Sequence, residues 1–129
     1  MNQKQHNPDS VSPPVGNYSH GIEIEPGARY LFISSQVPER QDGTVPAGLA
    51  EQCHAVWDNI FAVLASANMR AENLIKVTTY LTNIDQVEVN SRIRQQRLGD
   101  AQPTLTVMIA QTLDAKWLLE VEAIAAKSE

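Results

Sequence analysis

Cysteine is almost absent from this chain. Cys53 is the only one in 129 residues, which rules out an intrachain disulfide and suits a reducing compartment. Long apolar runs are missing as well, and none approaches the ~20 residues that a membrane-spanning helix needs. The first ten residues, Met1 to Ser10, contain no apolar core of the secretory kind, so the expectation is a cytoplasmic protein with no membrane partner. The three histidines, His6, His20 and His54, show no paired spacing and no accompanying cysteines, so neither a metal nor another cofactor is expected. A glycine-rich phosphate loop and a Gly-x-Ser-x-Gly nucleophile turn are both lacking. Positive charge is scarce: ten Lys and Arg against fifteen Asp and Glu leave a formal net charge of −5. Nucleic-acid binding depends on clustered cations that displace counterions from phosphates. The nearest approach to a cluster, Arg92, Arg94 and Arg97, reads as the solvated flank of a helix. Nucleic acid is therefore not an expected partner.

What is present fits one small domain with 43% hydrophobic residues, enough for a single core. Residues 1–17 are rich in Asn, Gln, Ser and Pro without periodicity and read as a flexible arm; the domain proper then runs over 18–129. Ile22 to Glu25 alternates apolar and polar residues as a half-buried strand does. Pro26-Gly27 makes a turn, and Tyr30 to Ser34 reads as the hairpin partner of that strand. From about Ala47 to Ala67, the residues Leu49, Cys53, Val56, Ile60, Val63 and Leu64 recur at helical spacing, and Asn68 is placed to end the helix in a left-handed conformation. Leu74 to Leu81 alternates with β-branched residues and is the clearest strand. A second helix is expected from an N-cap at Asp85 to about Leu98, followed by strands over 103–109 and 117–126. The order ββαβαββ is that of an α+β domain, one mixed sheet with two helices on one face.

The other sheet face carries Tyr80, Leu118 and Ile124 mixed with Glu120 and Glu122, and a surface of that kind calls for a covering partner. Glu120 and Glu122 fall on one side of their strand, with Leu119, Val121 and Ala123 on the other. They are either two solvated carboxylates at a sheet rim or groups shielded in a cleft and fitted to acid–base work. Cys53 lies on the apolar stripe of the first helix and reads as core filler rather than nucleophile.

Four segments in order carry a resemblance: Gly16-Asn-Tyr-Ser-His-Gly21, Phe32-Ile-Ser-Ser-Gln-Val-Pro38, Pro103-Thr-Leu-Thr-Val107 and Leu118-Leu-Glu-Val-Glu-Ala-Ile-Ala125. At this spacing the chain resembles the Rid family, also called the YjgF or endoribonuclease L-PSP family, over about residues 14–126. The resemblance implies a chorismate-mutase-like fold assembled as a homotrimer, with sheets facing inward and small-molecule sites in the clefts between subunits. It places Glu120 at the family's water-positioning glutamate and Tyr18 at the aromatic residue lining the pocket. Ser34 and Ser35 stand in the family's Ser-Gly-Gln segment, where Ser35 replaces a glycine that allows close backbone approach. Asn90 also agrees with a family position, either in the site or bracing the loop before Pro103. Trp117 is either an apolar wall of the cleft or ordinary packing.

One position departs from the family in a way that bears on chemistry. The imine-hydrolysing members carry an arginine where this chain has Leu105, and that arginine holds the carboxylate of a 2-imino acid while water adds to the C=N carbon. A charge-assisted bidentate contact is worth about 1.5–3 kcal/mol. Leucine offers no donor, and an anion brought beside it loses hydration. The expected activity is thus a Rid-like hydrolase or deaminase acting on an imine, enamine or related compound other than the usual 2-imino acid. The alternative is a trimeric module that binds a small ligand without turning it over. Arg29, Lys76 and Lys116 are the candidate replacement cations.

Overall fold

The alternating stretch Leu74–Leu81 lies inside a four-stranded sheet in the computed structural model, which describes residues 3–129. In chain order the elements are β1 (Gln3–His6), β2 (Gly21–Ile24), β3 (Arg29–Gln36), α1 (Leu49–Ser66), β4 (Leu74–Leu81), α2 (Val87–Leu98), β5 (Thr104–Ile109) and β6 (Leu119–Lys127). The main sheet runs β3-β6-β4-β5, with β6 antiparallel to both neighbours and β5 parallel to β4. This is the expected α+β domain with a mixed sheet, and α1 packs on β3, β6 and α2.

Two expectations about the N-terminal part need correction. The turn at Pro26-Gly27 does not join hairpin partners. β2 pairs with β1, antiparallel from Gln3↔Ile24 to His6↔Gly21, while β3 pairs with β6. The segment read as an arm therefore holds a strand that its sequence does not announce. Gln3-Lys4-Gln5-His6 has no apolar alternation because it buries almost nothing; main-chain pairing to β2 holds it, with a His6–Glu23 contact of 2.9 Å. Met1 and Asn2, the start of that arm, lie outside the described residues.

The core forms where the apolar stripe of α1 meets one face of the sheet. Cys53, Val56, Trp57, Ile60 and Leu64 pack against Ile33, Val77, Leu81, Leu119, Val121 and Ala123, all buried. Burial pushes the Cys53 thiol up to about 11, as expected for a packing residue rather than a thiolate nucleophile. α1 ends as its sequence suggests. Asn68 takes φ 59°, and the Met69 amide closes on the Leu64 carbonyl at 2.9 Å. α2 starts at Val87, one residue later than the Asp85 cap implies. The Asn83 side chain accepts from the Asp85 amide at 2.8 Å and begins a 3-10 turn over Ile84–Gln86 that leads into α2. Leu118, expected on the open face, packs partly against the core instead.

Candidate functional site

Strand register sorts the candidate residues onto two sides of the sheet. Glu120 pairs with Tyr80 and Glu122 with Thr78, so both carboxylates face away from the helices, as their spacing requires. Tyr80 donates to Glu122 Oε1 at 3.0 Å. That bond, with burial and the charges of Glu122 and Glu120, raises the Tyr80 hydroxyl above its ordinary pKa. Beside them lies a depression of about 270 Å³ lined by Phe32, Ser34, Lys76, Thr78, Glu122 and Ile124. Its rim is apolar and exposed: Phe32 is 74% accessible and Met108, paired to Tyr80, 52%. Ser34 therefore belongs to this face, and Ser35 sits in the register break between Ile33 and Gln36.

Leu105 lies on the opposite side. It pairs with Val77, whose side chain is in the core, and packs against the helix-covered face. Tyr18 is near the start of the same strand, because the Ser19 amide donates to the Pro103 carbonyl at 3.1 Å and the Ser19 hydroxyl to the Gln102 carbonyl at 2.8 Å. The Tyr18 ring lies edge-on to His20 and shares a cleft of about 200 Å³ with Ser91, Arg94 and Gln95 of α2. Asn90, one turn earlier, is buried, and neither polar atom of its amide finds a partner among the described residues.

A single chain thus brings Ser34 together with Glu122 and Lys76, and Tyr18 together with α2, but it does not unite Leu105 with Glu120. Trp117 stands just before β6; its carbonyl accepts from Thr112 at 2.8 Å, and its buried indole N–H has no partner among the described residues. Of the three candidate cations, Arg29 pairs with Glu129 at 2.9 Å, and Lys116 lies near the loop at 45–47. Only Lys76 faces either cluster. Arg94, which the sequence presents with Arg92 and Arg97 as a solvated helix flank, lines the Tyr18 cleft instead, four residues after Asn90. No group of three His, Cys, Asp or Glu among the described residues is arranged to hold a metal. Among the described residues, no helix is long and apolar enough to cross a membrane.

Comparison with known proteins gives consistent matches over nearly the whole chain. The family model described as endoribonuclease L-PSP matches residues 9–127. A RutC family protein of Aquifex aeolicus is 30% identical over 117 residues, covering 88% of this chain and 91% of its own. TdcF of Escherichia coli K12, provisionally named a reactive intermediate deaminase, is 26% identical over 118 residues, 88% of this chain and 89% of its own. Its structure with bound serine superposes with a TM-score of 0.73, covering 89% of this chain and 91% of that one. The structure of YyfB from Yersinia pestis, a Rid-family protein of unknown function, gives a TM-score of 0.85 at 25% identity, covering 98% of this chain and 100% of that one.

Proposed function

Since the chain belongs to the Rid, or endoribonuclease L-PSP, family, we propose that it is a small-molecule hydrolase or deaminase whose site is completed between copies of the chain. The observation that carries this reading is the split of the site residues. Glu120 and Leu105 lie on opposite faces of one sheet, so a cleft that uses both needs two copies. The apolar rim of the open face, with Phe32 and Met108 exposed, supplies the kind of surface a homotrimer would cover. The provisional naming of TdcF as a reactive intermediate deaminase supports the reaction class.

The chemistry is hydrolysis of a C=N bond. Water adds to the carbon, its proton passes to the Glu120 carboxylate, and the C=N electron pair moves to nitrogen. Glu120 returns the proton to nitrogen; the hydroxyl proton of the resulting carbinolamine then passes through Glu120 to the departing nitrogen as the C–N bond breaks, leaving a carbonyl and a free amine or ammonia. Leu105 gives a carboxylate on the adjacent carbon nothing to bind, so the substrate is an imine, enamine or related compound other than a 2-imino acid. The serine bound to TdcF supports a second reading, a binding module that holds a small ligand unchanged. Glu120→Gln separates the two. Turnover of a hydrolysed imine should fall by roughly 10²–10⁴ with ligand binding retained. Unchanged turnover would remove Glu120 from the mechanism.

A further inference from the structure

We propose that Arg94 makes the Tyr18 cleft an anion-binding subsite, and that the natural ligand presents a carboxylate there instead of at position 105. α2 sets Ser91, Arg94, Gln95 and Leu98 along one flank, facing the backbone of residues 15–18 and the ring of Tyr18. Arg94 is half-buried, and its Nη1 is fully enclosed with no acceptor; no hydrogen bond or ion pair among the described residues involves this side chain. Arg92, also without a partner among the described residues, is exposed to solvent, whereas three other arginines are paired. Arg97 is bound by Asp58 and donates to the His54 carbonyl at 3.3 Å, Arg70 lies 3.5 Å from Glu72, and Arg29 pairs with Glu129.

An enclosed guanidinium nitrogen with no acceptor is costly, and no acidic residue lines the cleft to offset it, while the rest of the fork reaches the opening. The loss of hydration holds Arg94 below the ordinary arginine value. What surrounds it is the equipment of a carboxylate receptor: a planar guanidinium fork with the neutral donors of Tyr18, Ser91 and Gln95 at the same opening. The amide of Asn90, one turn away, is likewise without a partner. The volume of about 200 Å³ lies below the usual span for drug-sized ligands, so the anion is small. Moving the cation from β5 to α2 also changes which substrates fit.

The inference rests on the proposed cleft only for the identity of the ligand, so its test uses binding rather than turnover. Arginine side-chain NMR of the full chain, titrated at fixed ionic strength, compares sodium propionate with its neutral isostere propionamide. The Arg94 guanidinium resonances should shift saturably with propionate and stay still with propionamide. Arg94→Gln should weaken propionate binding ten- to a hundredfold. Arg94→Lys, which keeps the charge and loses the fork, should fall between the two and serves if the glutamine variant does not fold. Equal shifts with both probes would overturn the proposal. So would silence of Arg94 throughout, the result expected if a carboxylate from a second copy already holds it. Propionate binding that persists in a protein whose turnover ignores Glu120→Gln would sink the hydrolase reading and leave this one standing.

Discussion

Gln52 is the residue whose loss should be felt furthest from its own position. It lies on α1, 1% exposed, and its side chain joins the helix to two separate loops. Nε2 donates to the Pro46 and Lys116 carbonyls, each at 2.8 Å, and Oε1 accepts from the Leu118 amide at 2.9 Å. These bonds fix the entry to β6 two residues before Glu120. Gln52→Ala removes all three and leaves three main-chain groups without partners. At about 1 kcal/mol net for each bond the cost is about 3 kcal/mol, and it rises if the orphaned groups stay dry. For a chain of this length that corresponds to a fall in Tm of roughly 10 °C. Gln52→Glu keeps the acceptor for Leu118 but sets a carboxylate against two carbonyl oxygens, so it should destabilise at least as much. The control is Gln96→Ala, the same change at an exposed position of α2, expected within about 0.5 kcal/mol of the unmodified protein. Thermal and urea unfolding followed by circular dichroism measure all three. If Gln52→Ala matched the Gln96→Ala control, the three bonds would not hold the loop.

Two further outcomes follow from buried and exposed groups. Because the Cys53 thiol is raised from 9.0 to about 11 in the folded chain, the unfolded chain releases this proton first. The Cys53 contribution to stability is therefore complete below pH 9 and declines by about 2 kcal/mol toward pH 11; urea midpoints should show that alkaline loss, and Cys53→Ala should reduce it, leaving the part due to the raised Tyr80 hydroxyl. Phe32, 74% exposed on the open sheet face, should lie within the proposed trimer. Sedimentation of the unmodified protein should give three times the 14.2 kDa chain mass, and Phe32→Asp should release single chains. A single-chain mass for the unmodified protein would refute the shared cleft.

The elements that bury a regular face were legible, because burial writes its period into the sequence. β4 was read with its observed ends, since Val77, Thr79 and Leu81 alternate with residues of the open face. Glu120 and Glu122 were placed on one side of β6 by parity alone. β1 was invisible for the opposite reason: it is held by main-chain bonds and its side chains meet water. The separation of Leu105 from Glu120 was also beyond reach. It depends on the pairings Val77↔Leu105 and Tyr80↔Glu120, which are set by tertiary assembly. Arg94 looked like one more charge on a solvated helix flank. Its enclosed nitrogen, beside a cleft shared with residues 15–18, is a product of the tertiary fold.

The proposed cleft is catalytic and takes no α-carboxylate at position 105. Its most direct test is the hydrolysis rate of freshly generated 2-imino acids by the purified protein beside its Leu105→Arg variant. Slow hydrolysis by the unmodified protein is expected, with a gain of roughly ten- to a hundredfold in kcat/KM on introducing the arginine. Equal rates in the two proteins, whether fast or absent, would contradict it.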